Sequence, residues 1–146
     1  MTKKLILATL AGAVVQFLLG WLIYGLILAN FMSANSIHYE GLLKDMSTWR
    51  FMVLVFLSGL AMAFLIAYIF QRWGKIETLM KGLSCGMIIG FFVALSFDLN
   101  SYAMMHLVTK WVMVVDVIAS TIMMGINGAV IAWILGYKSQ VNEPAK

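Results

Sequence analysis

Asp116, Ser120 and Asn127 recur at i, i+4 and i+11 within an otherwise apolar stretch. On a helix advancing about 100° per residue, all three fall within about 40° of one another. A carboxylate, a hydroxyl and an amide on one stripe suit binding of a proton or cation, or of a polar solute entering from outside. Insertion into hydrocarbon costs about 2.5–3.5 kcal/mol for an Asp at a helix centre, and less toward the interface, which makes an intramembrane carboxylate a candidate for function. The purely structural alternative is an Asp116 that is protonated, or paired at the outer rim with Arg50, Lys110 or His106. Gln16, near the middle of another apolar stretch, sits at the same depth as Asn127, so the two amides can hydrogen-bond across helices.

A second polar group follows the third apolar stretch: Asp98, Asn100, Ser101 and His106. Together with Asp116 and His38 they would form an acidic outer vestibule. Histidine and aspartate are zinc-ligand types, but no HxxxH or HxH spacing occurs, and solvated loop residues account for them equally. Met104–Met105–His106 carries soft thioethers suited to Cu(I), although methionine far more commonly fills irregular cores. The single cysteine, Cys85, excludes an internal disulfide or a CxxC redox pair. No phosphate-binding glycine loop, nucleophile elbow or HExxH motif is present, so the residue types give no enzyme reading and imply no metal or cofactor.

These residues need elements to hold them, and the composition dictates what kind. Of 146 residues, 63% are hydrophobic and 11% charged, against about 45–50% and about 25% in soluble domains. The mean hydropathy is +0.96. A single domain of this size cannot bury so much apolar surface, so its solvent must be lipid. Four stretches, at 5–29, 51–70, 79–97 and 111–136, meet the roughly 20 residues needed to cross hydrocarbon. The expected fold is all-α: one integral membrane domain over residues 1–146, a four-helix transmembrane bundle whose antiparallel neighbours are joined by short loops. The first stretch follows Lys3 and Lys4 but exceeds a signal-peptide core, so it reads as a retained span. Ser47 or Thr48 is placed to cap the second. The one proline, Pro144, lies in the tail, so none of the spans is broken by proline.

Charge sets the orientation. With both termini inside, Lys3, Lys4, Arg72, Lys75, Lys81, Lys138 and Lys146 are cytoplasmic, and only Lys44, Arg50 and Lys110 are outside. The positive-inside rule favours this N-in, C-in arrangement. The net charge of +4 therefore reports topology and anionic lipid rather than nucleic acid. Trp21, Trp49, Trp73, Trp111 and Trp133, with Tyr24, Tyr102 and Tyr137, sit mostly near span ends as an interfacial belt.

Small residues mark where helices approach. Gly82, Gly86, Gly90 and Ala94 form an unbroken i+4 row, and Gly59, Ala63 and Ala67 repeat the spacing. In the fourth span, Thr121, Gly125, Gly128, Ala129, Ala132 and Gly136 lie roughly opposite the polar stripe, so this helix should meet protein or water on two sides. Thr9, Gly12, Gln16, Gly20 and Asn30 share an arc of about 60° on the first span. Such rows serve packing within the bundle or an oligomer interface. Two functions follow from these faces, and a third, an intramembrane enzyme, draws almost no support from the residue types. The polar stripe points to small-solute or ion transport through an outward-facing pocket around Asp116, Ser120, Asn127 and Gln16. The glycine rows point to an accessory module that binds itself or partner membrane proteins.

The motifs also carry a resemblance. Gly20-Trp21-Leu22-Ile23-Tyr24-Gly25, Asn100-Ser101-Tyr102 after the third span, Asp116 early in the fourth, and Gly128-Ala129 followed by Trp133 run nearly the whole length of the chain. In these the chain resembles a family of small bacterial four-helix membrane proteins catalogued as a domain of unknown function; Ile23 stands where that family's Gly-x-x-Trp-Tyr stretch carries its Trp. The resemblance implies a four-helix fold in a bacterial cell membrane, the inner one, and no particular activity.

Overall fold

The computed structural model describes residues 3–37, 48–106 and 109–137. Helix α1 (Lys3–Gly20) runs directly into wide π-helical turns over Trp21–Ile27, followed by the short α2 (Ala29–Asn35). Helix α3 (Trp49–Ile69) widens in the same way over Phe70–Gly74. Helices α4 (Leu79–Met104) and α5 (Lys110–Gly136) are regular throughout. Four of these runs are long and apolar enough to cross a bilayer, with mean hydropathies between 1.8 and 2.5. That is the architecture of a multi-pass membrane protein.

Three local differences from the sequence expectations have clear causes. Helix α4 continues past Phe97 to Met104, because nothing from Asp98 to Met104 stops it and the Ser101 hydroxyl bonds back to the Phe97 carbonyl at 2.9 Å. Asp98 and Asn100 are therefore helical residues rather than loop residues. Past residue 29, the expected end of the first span, the chain continues as the helix α2, in which the Asn35 amide donates to the Phe31 carbonyl at 2.9 Å. Thr48 occupies the N-cap position of α3 without a side-chain bond, whereas Thr109 caps α5 by accepting from the Val112 N–H at 3.4 Å. Ser47 lies outside the described residues.

Helix α5 is the centre of the bundle. Half of its most apolar window is buried, against 22–28% for the other three spans. Helix α4 packs along one side of α5, α1 along another, and α3 lies chiefly on α1 with a smaller contact to α5. Although only residues 75–78 join α3 to α4, these two meet little. The connection turns at Lys75, whose backbone is left-handed (φ 44°), and Ile76 N–H bonds to the Phe70 carbonyl at 3.0 Å. It then passes the end of α5, where Gly136 has no side chain to obstruct the Glu77 backbone. The chain thus delivers α4 to the far side of α5.

The reason α4 docks there is steric. Its buried residues are Gly82, Gly86, Gly90 and Ala94. A Cβ at Gly128 would lie 2.5 Å from the Gly82 carbonyl oxygen and 3.0 Å from Gly86 Cα, and one at Gly90 would meet Met124 Cβ at 2.5 Å. Likewise a Cβ at Gly125 would lie 2.5 Å from Met87 Cγ. The glycine row of α4 and that of α5 therefore face each other inside one chain, allowing backbone-to-backbone contact where lipid supplies no hydrophobic drive. Gly59 and Ala63 are buried on α3, with Gly59 opposite Ala13 and Gln16 of α1.

Packing is uneven along the membrane normal. Leu5, Ala8, Ala13, Ala63, Ile66, Ala67, Phe70, Met124, Ile131, Ala132 and Leu135 form the core, and nearly all belong to the half of the bundle nearer the chain termini. Toward the opposite rim, where Asp98 and Asp116 lie, no residue of Trp21–Ile27 or α2 is buried, and α3 buries nothing before Gly59. Small residues let the helices close at one end; Phe17 against Phe56, edge to face at 6.1 Å, marks the level at which bulk takes over.

Candidate functional site: a polar seam on α5

Hydroxyls inside the spans normally satisfy themselves on their own helix. Thr121 donates to the Val117 carbonyl at 2.6 Å and Ser84 to the Met80 carbonyl at 3.1 Å, each four residues back. Ser120 does not follow that pattern: its hydroxyl meets the Tyr24 hydroxyl at 3.0 Å, bridging α5 to the π-helical end of the first span. The Asp116 carboxyl, one turn above Ser120, lies near enough to the Tyr24 hydroxyl to act on it electrostatically. Asp116 in turn lies close enough to Asp98 on α4 for the two carboxyls to feel each other's charge. Four side chains from three elements thus converge at the loop rim.

The two carboxyls are the unusual part. Asp98 Oδ2 is sealed from solvent and meets no hydrogen-bond donor among the described residues. Its neighbour is another carboxyl, and a carboxylate only accepts, so a hydrogen bond between them requires a proton on one. The cations expected to neutralise Asp116 are engaged elsewhere: Arg50 lies 5.8 Å from the Trp49 ring centre and Lys110 lies 5.7 Å from that of Trp111. His106 and Asn100 are exposed at the end of α4. His38 falls outside the described residues. Among those residues no three of His, Cys, Asp and Glu gather as a metal site. What the geometry offers is two carboxyls, a phenol and a serine: oxygen groups suited to a proton or a hard cation.

Deeper along the same stripe, the Asn127 amide donates to Gln16 Oε1 at 2.6 Å, the cross-bundle pairing expected from their matched depth. Asn127 is fully buried. Its Oδ1 has no donor and faces Gly12, whose added Cβ would lie 3.0 Å from it and 2.8 Å from Ile131 Cδ1. This pair fills its space rather than lining a cavity. Between it and Ser120 stands the buried Met124. The polar stripe is consequently two sites: a partly accessible outer cluster and a closed amide pair. On α1, Thr9 and Gly12 are buried with the amide level, but a Cβ added at Gly20 would point into open space and Asn30 is exposed. The wide turns after Gly20 change the angular phase, so wheel positions from the first half of the span do not extrapolate beyond it.

Tyr24 is the member that composition and periodicity missed. Its position near a span end reads as an interfacial anchor, yet a phenol inside an apolar run needs a partner for its hydroxyl, and a serine already on a polar stripe is the obvious one. In comparisons with known proteins, no family model, no curated protein and no solved structure matches the chain.

Proposed function

We propose that this protein moves a small solute or an ion across the membrane, and that Asp98 and Asp116 together bind the proton or cation on which that movement depends. The observation that carries the reading is the proximity of two carboxyls from different helices, neither of which forms an ion pair among the described residues. Intramembrane ionisable residues are costly and typically mark ion or substrate pathways. Support also comes from the uneven packing. Toward the loop rim, where the carboxyls sit, Trp21–Ile27, α2 and the start of α3 bury nothing, although Val112, Val117 and Ala119 of α5 are buried there. Met124 and the Gln16–Asn127 pair lie between the carboxyls and the termini. That is the form expected of an outward-facing state, with passage requiring the amide level to open.

The glycine rows favour the accessory-module reading less, because each is already covered by another helix of the same chain. The test is uptake or leak in reconstituted vesicles carrying a pH or cation gradient. Asp116→Asn should abolish gradient-dependent flux, and Asp98→Asn should impair it, with helical content and elution volume in detergent unchanged. Flux that is the same in wild type and both variants would remove these carboxyls from any transport role.

A further inference from the structure

At the opposite rim lies a groove unrelated to the carboxyl pair. It has a volume of about 300 Å³ and is lined by Lys3, Lys4 and Leu7 of the first span and by Trp133, Ile134 and Tyr137 at the end of α5. Its two ends differ in chemistry. Lys3 is exposed, and Lys4 is held in place by donating from Nζ to the Leu135 carbonyl at 3.3 Å, one of the last acceptors of α5. Leu7 and Ile134 lie about one turn further into the hydrocarbon. Trp133 and Tyr137 form a wall of two rings, 5.9 Å apart and edge to face, each more than half exposed.

The geometry points to a binding site for an anionic phospholipid, whose phosphodiester meets Lys3 and Lys4 while an acyl chain lies on Leu7 and Ile134. Charge complementarity selects this occupant. A free phosphate would leave the apolar lining unused, and a zwitterionic lipid would bring a cationic group of its own toward the two lysines, leaving their charge uncompensated. Basic pockets between spans at a membrane face recognise anionic headgroups in this way, and each lysine near the surface is worth about fivefold in binding. Lys4, by donating to the Leu135 carbonyl, orients the site as well as attracting the headgroup.

The full-length protein is purified in mild detergent with equal amounts of phosphatidylglycerol and phosphatidylcholine, and bound lipid is read by native mass spectrometry. Wild type should retain phosphatidylglycerol preferentially. Lys3→Gln with Lys4→Gln should lose that preference by at least about fivefold, whereas Lys75→Gln with Lys81→Gln, basic residues elsewhere on the same rim, should keep it. Should the double variant fail to fold, wild type alone still decides: phosphatidylglycerol should raise its melting temperature more than phosphatidylcholine does. Equal retention and equal stabilisation by both lipids, or a preference untouched by the Lys3 and Lys4 changes, overturns the proposal. So does displacement of the lipid by inorganic phosphate, which would show an anion site without acyl recognition.

Discussion

Individual polar residues in this chain divide by where their hydrogen bonds go. Ser84, Ser101 and Thr121 return theirs to their own helix, while Ser120, Tyr24, Gln16 and Asn127 send theirs across to another. The second kind fixes how helices sit against each other, since in hydrocarbon the alternative is an unsatisfied group. For the amide pair this is measurable by a double-mutant cycle with Gln16→Met and Asn127→Leu, read by unfolding in detergent. The expected coupling is about 0.6 kcal/mol and no more than about 1.7 kcal/mol. A coupling of zero would mean the amides do not recognise each other. Counting from span ends was enough to pair Gln16 with Asn127, because depth in a membrane is a linear coordinate. It could not pair Asp98 with Asp116 side by side, because that depends on α4 staying helical through Asn100 and on α4 lying beside α5.

Between helices, glycine does two different jobs. At Gly86 an added Cβ would press on the backbone of α5, near Gly125 Cα and Gly128 Cα at 3.2 Å each. At Gly59 it would find Gln16 Cγ and the Ala13 carbonyl at 3.7–3.8 Å, ordinary contact distances. Gly86→Ala should therefore lower the melting temperature in detergent, with a cost of about 1–3 kcal/mol from overpacking, and Gly86→Leu should separate α4 from α5. Gly59→Ala should be neutral or stabilise by up to about 1 kcal/mol, since alanine is the better helix former. If both alanines behave alike, close backbone approach is not what joins α4 to α5. The i+4 rows themselves were legible in the sequence as packing faces. Which row meets which was not, because a small-residue stripe fits any other of matching spacing.

For the molecule as a whole, lipid as solvent explains the inverted burial. Leu54, Ile88 and Phe92 are 60–65% exposed within their spans, and the largest fully buried side chains include the polar Asn127. The positive-inside rule then orients the bundle with the lysine-lined groove inside and the carboxyl pair outside. In a Cys85→Ser background, a membrane-impermeant maleimide applied to intact cells should label Asn100→Cys and not Lys75→Cys. The reverse pattern would invert the orientation, and labelling of both on intact cells would mean no membrane separates the two rims. On the proposed transport reading, orientation would also set which side supplies the proton or cation.

From its residues alone, this chain specified four spans, a fourth helix with a polar face and a small-residue face, and an amide pair at matched depth. These follow from hydropathy, the 3.6-residue period and the cost of polar groups in lipid, all of which act along one helix at a time. Tertiary structure decided the rest. It placed α5 between α1 and α4, drew Tyr24 into contact with Ser120 through the π-helical turns after Gly20, and brought Asp98 to Asp116. Those outcomes depend on angular phase and on which helices become neighbours, and neither is set by any one span in isolation.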